Sequence, residues 1–173
     1  MTGIPSKIHS YNVYDDNHSG RLYGTGEECT LPDFEALSET LSGAGILGEL
    51  DDPAPGHFGN MQMEIPFRLL DGEAVDLMDP TSAARLTLRG AQQVLTAEGD
   101  TEFRSMRVVV RGKCATLKTG TVKAAAAMGS GVTLNLSYIK IEVSDKELVE
   151  LDKLNSVFKL HGKDVLQKVR EMI

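Results

Sequence analysis

The stretch from Tyr138 to Asn155 decides the fold and reads Tyr-Ile-Lys-Ile-Glu-Val-Ser-Asp-Lys-Glu-Leu-Val-Glu-Leu-Asp-Lys-Leu-Asn. From Ile139 to Val143 apolar and polar side chains alternate, which is the period of a strand with one buried face. Ser144-Asp145-Lys146 has the composition of a turn, and alternation resumes beyond it. The stretch therefore predicts a β-hairpin whose outer face is charged.

Further strand candidates precede this hairpin. Alternation predicts strands at Ala84–Leu95 and Glu102–Cys114, and a third that begins near Val122. In the third, apolar residues occupy even positions up to Leu136 and odd positions from Ile139 onward. This switch predicts a β-bulge, or a strand that changes the side it buries.

The N-terminal part of the chain allows two interpretations at one point. Lys7–Leu31 has the pattern of a hairpin, whereas Asp33–Ser42 has apolar residues at the spacing of an amphipathic helix. Against the helix, Gly59–Phe67 alternates strictly, and such a strand needs a partner. Its apolar face consists of Met61, Met63, Ile65 and Phe67. The two methionines fit either core packing or a pliable partner-binding surface.

A long segment, Gly43–Phe58, separates these two stretches and predicts an irregular loop. Loops of this length are usually functional or disordered. Its apolar content is high for a segment that faces water, so we expect it to dock on another subunit. The apolar residues are Ile46, Leu47, Leu50 and Phe58. Two short helices are also predicted, at about 72–78 and about 164–173.

Length and composition fit one soluble globular domain spanning residues 1–173. Hydrophobic residues make up 41% and charged residues 25%, which excludes disorder. No apolar run reaches the length of a membrane helix, so we expect no membrane insertion. Cys29 and Cys114 lie far apart without a CxxC motif, and we expect a cytoplasmic product with two unpaired thiols.

Charge is distributed unevenly along the chain. Residues 15–79 hold 15 acidic and two basic residues, whereas residues 80–173 hold 15 basic and 10 acidic ones. Arg107, Arg111 and Lys113 share one face of a predicted strand. These charged residues form either solvated faces of the protein or patches of opposite charge that meet on neighbouring copies of the chain. The net charge of −7 argues against ordinary nucleic-acid binding.

No motif predicts catalysis, a cofactor or a metal. Gly43-Ala44-Gly45-Ile46-Leu47-Gly48 fits GxGxxG, but Pro53 and Pro55 interrupt the helix that a dinucleotide site needs. The four histidines are scattered, with no metal-binding spacing. Neither cysteine stands in a recognisable catalytic sequence. We therefore expect a protein that is not an enzyme.

The Tyr138–Asn155 hairpin resembles the hairpin near the C-terminus of the major tail tube proteins of contractile-tailed bacteriophages and R-type tailocins. The matching positions are Tyr138, Lys140, Ile141, Val143, Glu150, Leu151, Asp152 and Asn155. Thr30-Leu31-Pro32, the Gly-Ala-Gly step at 43–45 and Val110-Arg111-Gly112 follow the family in order. Asp33 departs from it, because the family usually has a basic residue there, and Ile46-Leu47 departs as well.

The resemblance implies a β-barrel or β-sandwich with a long protruding hairpin at 33–67, which favours a strand at Asp33–Ser42. It implies hexameric rings that stack into a hollow tube inside a contractile sheath, in a virion tail or tailocin particle assembled in the host cytoplasm. Implied partners are the chain itself and the sheath, tape measure, baseplate and tail terminator proteins, with DNA passing through the lumen of a true phage.

The predicted contacts between subunits lie in the hairpin and its loop: Gly43, Gly45, Ile46, Leu47, Leu50, Phe58, Met61 and Met63. Two alternatives remain open. One is a ring protein like that of a type VI secretion system, and the other is a monomeric β-barrel that binds a ligand.

Overall fold

A computed structural model describes residues 3–18 and 20–173 and shows a mainly β protein, as predicted. The strands are β1 Gly3–Asp15, β2 Gly20–Arg21, β3 Ala36–Leu41, β4 Leu50–Phe58, β5 Gln62–Phe67, β6 Ala84–Thr96, β7 Thr101–Lys118, β8 Ser130–Val143, β9 Lys146–Asp152, β10 Val157–Leu160 and β11 Lys163–Asp164. The helices are α1 Gly72–Asp76 and α2 Gln167–Arg170.

Nine of these strands form one antiparallel sheet in the order β11-β10-β9-β8-β7-β6-β1-β2, with β5 paired to the first half of β8. The sheet is not a closed barrel, and the prediction of a mainly β fold with two short helices is confirmed. Two isolated bridges, Thr25–Phe67 and Thr30–Glu64, bring the segment after β2 against β5. The edge strands of the main sheet are β11 and β2, at the two ends of the strand order.

The core lies against one face of this sheet. Its largest fully buried side chains come from β5 and from the central strands: Phe67, Met61, Met63, Ile65, Leu86, Leu134, Ile139, Leu151, Val13, Val108, Val110 and Val132. The strict alternation of Gly59–Phe67 is thus confirmed as a core-facing pattern. Met61 is 1% and Met63 0% exposed, so the prediction that they contact another subunit is wrong.

The hairpin predicted at Tyr138–Asn155 is confirmed as β8 and β9. Ser144 and Asp145 form its turn with φ of 51° and 59°, as in the tight turns that match the twist of paired strands. The predicted switch of the buried side is confirmed too. Arg111 pairs with Tyr138 but Gly112 pairs with Leu136, so β8 carries an extra residue, Ser137.

Several predicted boundaries shift. β7 continues to Lys118, beyond the predicted end at Cys114 and beyond the Val110-Arg111-Gly112 step. Asp71 caps α1, and its carboxylate accepts a hydrogen bond of 3.4 Å from the backbone N–H of Ala74. The C-terminal helix is shorter than 164–173 because Lys163 and Asp164 pair with β10 as β11. The N-terminal hairpin is short, since β1 pairs mainly with β6.

The region 33–67 differs most from the sequence prediction. A strand at Asp33–Ser42 is confirmed as β3, so the helical alternative is wrong. Most of the predicted loop Gly43–Phe58 is strand β4, which among the described residues pairs only with β3. The protruding hairpin therefore comprises residues 36–58, and Gln62–Phe67 belongs to the main sheet.

Candidate assembly surfaces

The β3–β4 hairpin forms a separate two-stranded sheet with an exposed, partly apolar face. Leu41 lies opposite Leu50 and Glu39 opposite Asp52 in the ladder. Directly opposite side chains in an antiparallel pair project from the same face. Together with Leu37 these residues form what we call the hairpin face, and all three leucines are exposed. Exposed leucines in a contiguous group are typical of a binding surface.

The loop at the end of the hairpin, residues 42–49, carries further apolar surface. Leu47 is fully exposed and Ile46 is 41% exposed. Gly45 and Gly48 have φ of 92° and 99°, values that side-chain-bearing residues rarely adopt, so the loop needs glycine at these positions. Gly43 accepts a hydrogen bond of 3.1 Å from Ile46 N–H. The loop is tight, and Ile46 and Leu47 are the exposed apolar residues at the end of the hairpin.

The base of the hairpin is fixed to the body of the protein by aromatic packing. Phe58 contacts Phe34 and Phe158 edge-to-face, with ring centroids 5.6 and 5.2 Å apart. Phe58 is half-buried against the core of its own chain, and its predicted contact with another subunit stays a prediction. A Cβ on Gly56 would lie 2.6 Å from Leu166 Cδ1. This close approach ties β4 to the C-terminal segment.

Phe58→Ala is expected to loosen the hairpin without unfolding the sheet. Removing a half-buried phenylalanine costs about 2–3 kcal/mol, and much of that loss falls on the contact between hairpin and body. Hydrogen exchange of residues 36–58 should accelerate while exchange of β7 and β8 stays slow. Phe34→Ala is the matched control, because Phe34 packs on Phe58 but is exposed and lies outside the core cluster. Unchanged exchange in Phe58→Ala would contradict the anchor.

The residues that match the family's hairpin motif form a polar network on the outer face of β8, β9 and β10. Tyr138 Oη donates to Glu150 Oε1 at 3.0 Å, and Lys159 Nζ donates to Glu150 Oε2 at 2.7 Å. Lys140 Nζ lies 2.8 Å from Glu142 and 3.4 Å from Glu147. These contacts join three adjacent strands within one chain.

Asp152 is the second centre of this network. Its carboxylate accepts hydrogen bonds from Asn155 Nδ2 at 2.7 Å and from Arg111 at 3.1 Å. The backbone N–H groups of Leu154 and Asn155 also donate to it, which fixes the turn after β9. The motif residues thus hold the turn and the strands in place inside the subunit.

The network shifts the pKa of several members. Burial alone would raise the pKa of Asp152, but its hydrogen bonds and the charge of Arg111 outweigh burial and hold the pKa below 3.8. In the same way, hydrogen bonds from Lys159 and Tyr138 hold the pKa of Glu150 below 4.5. Burial, followed by the bond to Glu150, raises the pKa of Tyr138 to about 12.

These shifts predict a loss of stability in acid. A carboxyl group whose pKa is lower in the folded state stabilises the fold above its unfolded pKa and loses that effect as pH falls through the folded value. The melting temperature should therefore drop as pH falls below about 4.5. Asp152→Asn should lower stability at pH 7 and make the fall in acid shallower. An equally steep fall in Asp152→Asn would contradict this role.

Cys29 and Cys114 are both free, as predicted. Burial raises the pKa of Cys29 to about 12, which suppresses its thiolate form. Within residues 3–18 and 20–173, no group of three or more His, Cys, Asp or Glu could hold a metal ion. No helix among the described residues is long and apolar enough to cross a membrane.

Sequence reasoning missed part of the hairpin face. Leu37, Glu39 and Asp52 belong to the hairpin face, but only the strand register shows that they lie together. A signal was present, because residues 22–67 contain no lysine or arginine and nine acidic residues. The predicted residues Gly43, Gly45, Ile46, Leu47 and Leu50 do lie together, at the end of the hairpin.

Comparison with known proteins identifies the family of the chain. A family model described as phage tail tube protein FII matches residues 5–173. The tail tube protein of Escherichia phage P2 is 28% identical over 180 aligned positions, covering 98% of each chain. The major tail tube protein of Serratia phage KSP20 is 24% identical, covering 94% of this chain and 91% of the relative. The chain therefore belongs to the phage tail tube protein FII family, a family of structural tail proteins and not of enzymes.

Proposed function

We propose that the chain is the repeating subunit of a tail tube, in which hexameric rings stack into a hollow conduit inside a contractile sheath. The observation that carries this proposal is the β3–β4 hairpin, which stands apart from the main sheet with its leucines in solvent. An isolated two-stranded hairpin is marginal in water. Contact with another copy would stabilise it and cover its apolar surface.

The main sheet also offers an unpaired edge. One edge of β1 pairs with β6 along most of its length. On the other edge, the ladder within the described residues pairs only Tyr14 and Asp15, with β2. Such an edge is a template for pairing with another chain. In a closed ring of identical subunits, every copy has a neighbour on each side, so no strand edge is left without a partner.

In this proposal, residues 1–173 form a single domain, and Gly43, Gly45, Ile46, Leu47 and Leu50 make contacts between subunits. The assembled tube contacts sheath, tape measure, baseplate and tail terminator proteins, and it belongs to a virion tail or a tailocin particle. It serves as a path for DNA or for membrane puncture. Assembly takes place in the cytoplasm of the host bacterium.

Negative-stain electron microscopy of the purified chain, together with its mass in solution, tests the proposal. Six-fold rings and tubes are the expected result. Rings that never lengthen into tubes would favour a type VI secretion-like ring protein. A stable monomer of 18.7 kDa at high concentration, with a melting temperature raised by a small ligand, would overturn the proposal.

A further inference from the structure

The outer face of β6 and β7 carries two pairs of arginines that lie directly opposite each other. Arg85 pairs with Arg111, and Arg89 pairs with Arg107. Members of such pairs are about 4.5–5.5 Å apart at Cβ, and like charges at this distance destabilise the sheet. Because the arginine pairs lie on an exposed face of the sheet, an anionic partner bound there would relieve their repulsion.

The two arginine pairs differ in how many contacts with residues of the same chain they make. Arg111 binds Asp152 and lies over the Tyr138 ring. Arg107 reaches Glu142 only at 3.6 Å and is 52% exposed. Arg89 lies over the Tyr14 ring, with no carboxylate within 4.0 Å among the described residues. The pair Arg89 and Arg107 therefore keeps donors free for an external carboxylate.

The hairpin face carries the complementary arrangement. Glu39 and Asp52 are directly opposite each other in the β3–β4 ladder, and both are exposed. This like-charge pair is as unfavourable in the free subunit as the arginine pair. Because both pairs have cross-strand spacing, two carboxylates can face two guanidinium groups with both interactions formed together.

Apolar groups follow the charged pair in the same order on both surfaces. On the hairpin, Leu41 and Leu50 come next, and then the loop with Ile46 and Leu47. On the sheet, Arg89 and Arg107 are followed on the same face by a patch near the β6–β7 turn. That patch consists of Ile4, Leu95 and Phe103, which are 68%, 42% and 58% exposed.

We propose that the hairpin face of one copy docks on the β6–β7 face of another, with Glu39 and Asp52 against Arg89 and Arg107 and the loop against the Phe103 patch. This inference rests on the proposed tube function and names the surface that the hairpin meets. The contact joins two different surfaces of one chain, so each copy both donates a hairpin and receives one. Contacts of this kind propagate into rings or filaments.

The test reverses each charged pair separately and then both together. Glu39→Lys/Asp52→Lys and Arg89→Glu/Arg107→Glu should each raise the concentration needed for assembly at least about tenfold, because like charges then face each other. The fourfold variant should regain assembly. Glu27→Lys/Glu28→Lys and Lys163→Glu/Lys168→Glu make the same net charge changes at other exposed positions, and both should assemble normally.

Sedimentation and electron microscopy give the readout, and circular dichroism confirms that each variant is folded. If a charge-reversed variant does not fold, the neutral variants Glu39→Gln/Asp52→Asn and Arg89→Gln/Arg107→Gln replace it. Each neutral variant should assemble more weakly than the unaltered chain, and its assembly should depend less on salt concentration. Normal assembly of both reversals would overturn this docking while leaving the tube intact. Failure of the fourfold variant while the controls assemble would also overturn it, and would favour another acidic protein on the arginines. Failure of the unaltered chain to assemble would refute the tube function itself.

Discussion

A chain that carries Ile46→Asp and Leu47→Asp is expected to fold normally and to form no tubes. Both side chains lie at the end of the hairpin and outside the core; Leu47 is fully exposed and Ile46 is 41% exposed, so the free subunit loses little packing. Burying each against a neighbour contributes about 1.5–3 kcal/mol per contact, and an unpaired carboxylate there costs more. Electron microscopy at the concentration where the unaltered chain polymerises measures the effect.

The control for this variant is Val122→Asp. Val122 is 86% exposed and lies in the segment between β7 and β8, outside the hairpin. It tests whether any exposed apolar residue replaced by aspartate blocks assembly. Melting temperatures of both variants should match that of the dissociated unaltered chain, since exposed substitutions usually change stability by less than about 0.5 kcal/mol. Normal tubes from Ile46→Asp/Leu47→Asp would contradict the role of the loop.

Gly112→Ala is expected to destabilise the main sheet strongly, although it adds only one methyl group. A Cβ at this position would lie 2.4 Å from the backbone oxygen of Asn135 and 2.9 Å from Leu136 Cδ2. The obstacle is backbone at the β8 bulge, which cannot move without breaking its ladder. We expect a loss of about 2–3 kcal/mol, or roughly 4–12 °C in melting temperature.

Gly90→Ala is the matched control for Gly112→Ala. Gly90 lies in β6, and a Cβ there would meet nothing closer than 3.7 Å. Both substitutions should be made in the Ile46→Asp/Leu47→Asp chain, because assembly would otherwise add to the apparent stability. Gly90→Ala should change the free energy of unfolding by less than about 0.5 kcal/mol. Equal effects of the two substitutions would contradict the close-approach explanation.

The sequence was informative where local pattern and tertiary environment agree. Alternation at Tyr138–Asn155 has one buried face and one charged face, so period two identifies both strands and the turn. The bulge at Ser137 was predictable because a change of buried side requires an extra residue in one strand. The Arg-Gly step at Arg111 and Gly112 gains its physical reason only from the structure, where the bulge needs a residue without Cβ.

Strand β4 could not be predicted because its composition opposes a strand. Pro53 and Pro55 lack the N–H group that a central strand needs, and they are tolerated only at edges and bulges. In the part of the chain that the structure describes, β4 has β3 as its single partner, and its register breaks between Pro53 and Phe58. The edge position of the hairpin thus explains both the prolines and the wrong prediction of a loop.

The assembly surface was predictable only in part. Exposed Ile46, Leu47 and Leu50 were found because their hydrophobicity conflicts with a polar, glycine-rich setting. Met61 and Met63 satisfy the same criterion but belong to a core strand, and sequence alone does not separate the two environments. The pairing of Arg89 with Arg107 follows from strand register, which depends on turn geometry as well as on the hydrophobic pattern.

A helical reconstruction from electron cryomicroscopy of tubes formed by the purified chain tests the central claim most directly. The measured quantity is the environment of residues 36–52 in each subunit. The account predicts hexameric rings in which this hairpin is covered by another copy of the chain, with Leu47 buried. Tubes in which the hairpin stays in solvent would contradict it, as would a chain that stays monomeric at every concentration.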